Sequence, residues 1–288
     1  MHTVLSIQSF VSHGHAGNSS AMFPLQRCGF DVMGVHTVLF SNHTGHDTWR
    51  GPLIPATDVA EIISGIDERG ALASVDAVLS GYLGSVAVGR AVLDAVDLTK
   101  RRNPEALFLA DPVMGDRGTG FYCAADIPVF FREHVVPKTD IMTPNLFELE
   151  QLVGESLHRL DEVLAAAERL RCLGPDIVLV TSVLTDDLHD DGLLRMLAVG
   201  PGGAWLVETP RLDRDFVGTG DLTAALFLAH WLETADLERS LAATASAVYS
   251  VLEQTHILGG AARLGVGAQA PGGQPRNQVP PPRLPRTG

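Results

Sequence analysis

Lysine is nearly absent from this chain. Lys100 and Lys138 are the only two, and arginine supplies the other 19 of the 21 basic residues. Chemistry that needs a lysine at a given place has only these two to draw on. Cysteine is also scarce: Cys28, Cys123 and Cys172 lie far apart with no C-x-x-C spacing. An odd count, in a chain too long to need covalent staples, predicts reduced thiols in a cytosolic protein. No basic-then-apolar leader opens the sequence, so no secretory signal is expected and a cytoplasmic location is. The longest apolar stretch, 222–232, contains Thr223 and His230 and is too short to cross a bilayer. Positive charge as a whole is in deficit, with 21 basic against 34 acidic residues and a net charge of −13. That balance repels phosphate backbones and argues against a general nucleic-acid binder, while leaving room for one small anionic ligand held locally.

What is present reads as an ordinary globular chain of 288 residues, 45% hydrophobic and 19% charged. Apolar β-type runs at 4–7, 32–39, 76–79, 106–110 and 176–181 alternate with helical patterns at 18–27, 58–69, 85–96 and 162–173. Pro24 weakens the first helix, and Gly29 and Gly70 offer stops. Two further strands are expected at 194–199 and 204–208, and two closing helices at 219–232 and 237–252. Strand–helix alternation at this spacing implies parallel βαβ units with helices on both faces, hence one α/β domain over 1–258. The last 30 residues, 259–288, hold seven Gly, six Pro, four Arg and no acid. Such a segment buries too little to offset its ordering entropy and is expected to be a disordered tail. Setting its arginines aside leaves about −17 on residues 1–258.

Four stretches carry candidate chemistry. Gly218-Thr219-Gly220-Asp221 stands immediately before the apolar run of a helix. Glycines allow a sharp turn and close approach, and a helix start offers free N–H groups and a positive dipole end to an anion. An aspartate beside that hole suits a base for phosphoryl transfer to an alcohol. A plain helix N-terminus accounts for the tetrapeptide equally well. Asp111-Pro112-Val113-Met114-Gly115-Asp116 follows a buried strand, where open α/β sheets bind ligands, and Asp111 suits Mg²⁺ on a nucleotide; the alternative is a turn. In Thr143-Pro144-Asn145-Leu146-Phe147-Glu148, Asn145 and Glu148 read first as a capping box; the alternative is that Glu148 reaches a metal or polarises its water. Residues 9–19 and 41–46 are rich in short donors suited to a small heteroaromatic substrate; their four histidines, on a Gly-rich loop, make a weak zinc signal.

Taken in order, these residues resemble the pyridoxal kinases of the ribokinase-like superfamily. The resemblance runs to about residue 256. Its marks are Ser9 with His15-Ala16-Gly17-Asn18, Phe40-Ser41-Asn42-His43-Thr44 and Ser80-Gly81-Tyr82-Leu83-Gly84, followed by Asp111-Pro112-Val113-Met114-Gly115, Thr143-Pro144-Asn145 with Glu148, and Gly218-Thr219-Gly220-Asp221. It implies a three-layer α/β/α fold around a mostly parallel sheet, and phosphorylation of the 5-hydroxymethyl group of pyridoxal by ATP to give pyridoxal 5′-phosphate. It also implies Mg²⁺, a monovalent cation (K⁺ or Na⁺), a homodimer, and neither nucleic-acid nor membrane partners. Asp221 takes the place of the catalytic base, and the backbone of Gly218, Thr219 and Gly220 that of the anion hole. Ser9, Thr44, Gly45 and Tyr82 match substrate contacts. Asp111, Thr143 and Glu148 match the nucleotide and metal side, and Tyr122 a lid residue. Thr181 and Ser182 match phosphate or nucleotide contacts, and Pro210, Arg211, Leu212 and Asp213 the adenine and ribose pocket.

The chain also departs from the family pattern. Thr181 replaces a lysine found in one bacterial branch, although another branch carries Thr-Ser there. His46 stands for a usual tyrosine and Phe10 for a histidine, both expected beside the substrate, where they bear on vitamer preference. The loop before Gly218 is shorter than in the lysine branch, and the tail after Leu258 follows no family pattern. Two other functions remain open on the residues alone: a kinase of the same fold acting on hydroxymethylpyrimidine or another small alcohol, and a non-catalytic vitamer-binding protein.

Overall fold

A computed structural model describes residues 1–188 and 192–258. The tail over 259–288 lies outside the described residues. The elements run β1 (Thr3–His13), α1 (Asn18–Arg27), β2 (Asp31–Asn42), α2 (Ala56–Glu68), β3 (Ala77–Ser80), α3 (Val86–Arg102) and β4 (Leu107–Ala110). A two-stranded hairpin follows, β5 (Gly115–Asp116) with β6 (Gly120–Phe121), then α4 (Ile127–Phe130), β7 (Ile141–Met142), α5 (Leu146–Val153), α6 (Leu160–Arg171) and β8 (Ile177–Val180). The chain continues through β9 (Leu193–Gly200), β10 (Gly203–Pro210), α7 (Thr219–Thr234) and α8 (Leu237–Leu258).

Eight strands form one sheet in the order β10-β9-β8-β7-β4-β3-β1-β2. From β2 to β8 every pairing is parallel, and β9 and β10 add an antiparallel edge. Successive side chains on a strand point to opposite faces, and the two cores divide accordingly. Leu5, Val78, Phe108 and Val178 join the core under α2, α3, α5 and α6. Their neighbours Val4, Leu79, Leu109 and Leu179 join the core under α1, α7 and α8. This is the covered parallel sheet that strand–helix alternation predicts.

The differences from expectation have local causes. β1 and β2 run several residues past their apolar runs, because they continue to pair up to His13 and Asn42 despite polar side chains. A register shift between Gln8 and Phe10 marks a bulge in β2, where Thr37 and Val38 stand opposite Ser9. Helical turns over residues 127–138 went unread, since Pro128 and Pro137 break the periodicity there. Pro24 does lie inside α1. α8 extends to Leu258, past the expected end at 252.

Candidate active site

The carboxyl ends of β1, β3, β4, β7 and β8 open onto a cavity of about 650 Å³, closed over by the first turn of α7 and by β9, β10 and α8. It takes in Ser9, Thr44, Tyr82, Asp111, Tyr122, Thr143, Glu148, Thr181 and Ser182, together with Pro210, Arg211, Leu212, Gly218, Thr219, Gly220 and Asp221. Gly45 and Asp213 are not among its lining residues, and neither are Phe10 and His46. The Phe10 ring lies instead against His36, with centroids 4.8 Å apart.

α7 is buried along eight consecutive residues, Leu222 to Ala229, so its position is set by the core. No side chain caps its N-terminus, which leaves the first-turn N–H groups to the cavity. Gly218 precedes it at φ 79°, a left-handed conformation, and a Cβ there would collide with the carbonyl of His15. Asp221 sits in this first turn. Burial pushes its carboxyl up to about 6, while N–H donation from Gly17 and from Asp221 itself pulls the other way.

Asp111 lies close by: a Cβ on Gly220 would be 3.7 Å from its Oδ2. Its side chain is buried and accepts from Thr143 Oγ1 at 3.1 Å. Burial, then the neighbouring Glu148 and Asp221, raise its carboxyl well above the usual carboxylate range. Glu148 bears out its capping-box reading. It completes a capping box with Asn145, each donating a backbone N–H to the other's side chain at 2.9 Å. Its Oε1 also accepts from Met114 N at 2.9 Å, across the cavity floor. Burial raises Glu148 to about 8 against those three backbone donors of Asn145, Met114 and Gly115. Tyr122 is raised as well, first by burial and then by the acids Glu148, Asp111 and Asp221.

Among the described residues no ion pair reaches Asp111, Glu148 or Asp221. Buried acids that repel one another, with oxygen donors only, are a fit for a hard divalent cation. Among the described residues no group of three His, Cys, Asp or Glu side chains forms a metal cage. Mg²⁺ keeps water and phosphate oxygens as ligands and so needs few protein donors. Both Glu148 oxygens are engaged by backbone donors, so Glu148 suits the cation's water better than direct coordination.

On the opposite side of Asp221 the wall is apolar and aromatic. Val11, Ala16, Val38 and Phe40 form a small cluster with Tyr82 packed on it. Thr37 Oγ1 donates to the Tyr82 carbonyl at 2.8 Å and fixes that loop. Ser9, His43 and Thr44 supply the polar groups. Burial, and secondarily His46, lowers His43 below its ordinary value, so its ring is neutral at pH 7. Beyond the acids the cavity continues between β9, β10 and α8, lined by Leu194, Met196, Val248, Tyr249 and Leu252. Sequence reasoning missed this slot, because apolar residues facing a ligand have the same pattern as residues facing a core. Ser182, at φ 51°, is one of two non-glycine residues with positive φ among the described residues, and it lines the cavity.

The comparisons with known proteins agree with this geometry. Residues 34–264 match a family model described as phosphomethylpyrimidine kinase. The chain is 54% identical over 252 residues to "Pyridoxal kinase PdxY" of Rubrobacter xylanophilus, covering 88% of this chain and 87% of the relative. It is 50% identical to "Pyridoxal kinase PdxY" of Leifsonia xyli subsp. xyli, covering 88% and 89%. Its fold superposes with a TM-score of 0.85, at 29% identity and covering 92% and 94%, on a pyridoxal kinase from Leishmania donovani in complex with ADP and pyridoxamine. With the acid cluster, the uncapped helix start and the aromatic wall all in one cavity, and with relatives of this identity along most of its length, the chain belongs to the pyridoxal kinase family.

Proposed function

We propose that this chain transfers the γ-phosphoryl group of ATP to the 5-hydroxymethyl oxygen of pyridoxal, giving pyridoxal 5′-phosphate and ADP. One observation carries the reading: a carboxyl group, Asp221, stands in the uncapped first turn of a buried helix, between an aromatic-walled recess and a pair of buried acids. The recess bounded by Tyr82, Ser9 and Thr44 takes the pyridine ring. Asp221 accepts the hydroxymethyl proton as that oxygen bonds to the γ-phosphorus and the bond to the β–γ bridging oxygen breaks. The N–H groups of Gly218, Thr219 and Gly220 receive the equatorial phosphoryl oxygens. Asp111, Thr143 and Glu148 would hold Mg²⁺ directly or through water, where it would supply charge neutralisation for the nucleotide phosphates. Thr181 and Ser182 stand at the phosphates, and residues 210–213, with the slot at Met196 and Leu252, take the adenosine. Tyr122, on the chain leaving the β5–β6 hairpin, excludes water that would compete as acceptor.

A monovalent cation, K⁺ or Na⁺, and a homodimer belong to the same reading by resemblance. β2 is an edge strand, and Leu39, Trp49 and Leu53 on or beside it are exposed, which supports a partner copy there. Among the described residues no helix is long and apolar enough to cross a membrane.

The test is ATP- and Mg²⁺-dependent product formation by the purified chain, with pyridoxal, pyridoxine and hydroxymethylpyrimidine as parallel acceptors. Turnover of pyridoxal well above the pyrimidine is the expected result. Preferential turnover of hydroxymethylpyrimidine would keep the fold and change the substrate. No turnover of any acceptor would revive the non-catalytic reading.

A further inference from the structure

Gly17 and Asn18 begin α1, and their neighbourhood is built differently from an ordinary helix start. Gly17 takes the N-cap position at φ 57°, ψ −133°, a conformation open essentially to glycine, and offers no side-chain cap. A Cβ on it would collide with the backbone and hydroxyl of Ser9. Its N–H pulls the Asp221 carboxyl down against the effect of burial, so the turn lies beside that group. The two helix starts also touch directly. Ser20 Oγ donates to the Gly218 carbonyl at 2.8 Å, and Gly218 is seated against the His15 carbonyl.

What holds this turn in place is the side chain of Asn18, which is 1% exposed. Its Oδ1 accepts from Ser6 Oγ at 2.7 Å on β1. Its Nδ2 lies 2.9 Å from the Val35 carbonyl and 3.0 Å from His36 Nδ1 on β2, and 3.3 Å from the Ser6 carbonyl. Ser6 Oγ in turn accepts from Gln8 Nε2 at 2.9 Å, and Gln8 directly precedes Ser9. Burial lowers His36, which keeps its ring neutral and leaves Nδ1 able to accept. A short carboxamide is the one side chain that offers both an acceptor and two donors at this reach. The network touches no cavity-lining atom itself, because neither Ser6, Gln8, Asn18 nor His36 lines the cavity.

We propose that Asn18 is a positioning residue for the proton transfer: stitched to β1 and β2, it holds the Gly17 turn, and with it the first turn of α1, against the first turn of α7, where Asp221 sits. It acts through Asp221 and does not meet substrate. The inference rests on Asp221 being the base.

The test is a double-mutant cycle on the full chain, with kcat, the KM values of pyridoxal and ATP, and the thermal midpoint measured for each variant. Asn18→Ala is expected to lower kcat by about tenfold to a hundredfold, as misplacement of a catalytic group does, with both KM values changed less than about threefold. In the Asp221→Asn background the same substitution is expected to cost less than about twofold, because the group it positions is gone. A folded Asn18→Ala with near-wild-type kcat would overturn the proposal. So would an undiminished loss in the Asp221→Asn background, which is what a merely structural role gives. Should Asn18→Ala not fold, Ser6→Ala removes one bond to the same carboxamide and carries the same cycle, with a kcat loss of about three- to tenfold. Full activity of Asp221→Asn would instead overturn the base assignment on which the inference stands, and the two failures are thereby told apart.

Discussion

The two ends of the cavity are built on opposite plans. The proposed acceptor end gathers short polar side chains and tight turns at strand ends: Ser9 opposite the β2 bulge, Gly17, His43 with Thr44, and Tyr82 held by Thr37. The proposed nucleotide end, beyond Asp111 and Glu148, is an apolar slot made by the antiparallel edge β9–β10 and one face of α8. Orientation of a small ring needs directional groups at fixed places, whereas a flat base can be held by area. The first plan writes recognisable motifs into a sequence, and the second does not.

The largest effect should come from the point where the ends meet. Asp221→Ala is expected to lower kcat by about two to four orders of magnitude with the fold retained, as loss of a general base does; steady-state product formation reads it. Gly218→Ala should follow, at about a hundredfold to a thousandfold in kcat. A side chain there forces the turn off the His15 carbonyl and disturbs the anion-binding N–H groups. A smaller pair separates the ends. Tyr82→Ala should raise the KM of pyridoxal several-fold and leave that of ATP nearly unchanged, and Leu252→Ala should do the converse. A shared rise in both KM values would mean that the two ends are not independent.

The smallest effect concerns stability. A carboxyl raised to about 6 in the fold, from an ordinary 3.8, binds its proton more tightly folded than unfolded. Its contribution is therefore favourable at low pH and is lost as pH rises through about 6. Neutral Asp221→Asn should consequently melt a few degrees higher than wild type near pH 7.5 and show little difference near pH 4, by scanning calorimetry.

Much of the fold was legible because the sheet is covered on both faces, so its strands read as continuous apolar runs such as 177–180. The ends of β1 and β2 were not, because backbone pairing carries them past the apolar residues. Asp111, Glu148, Gly218 and Asp221 each had a plain turn or cap reading when taken alone, and it was their order along the chain, like that of the pyridoxal kinases, that singled them out. For Glu148 the capping reading holds, and the same bonds fix its carboxyl beside the cavity. Met196, Val248 and Leu252 carried no signal, for they differ from core residues only in what faces them. Asn18 belonged to a recognised motif, but its role required seeing three segments brought together.

The most direct test of the central claim is the pH dependence of single-turnover phosphoryl transfer to pyridoxal in wild type and Asp221→Ala. A base must be deprotonated to act, so the wild-type rate should fall about tenfold per pH unit below an apparent value at or somewhat under 6, since a bound cation favours the carboxylate. The residual rate of the variant should lack that limb. The same limb in both proteins would contradict the assignment of Asp221 as the group that takes the proton.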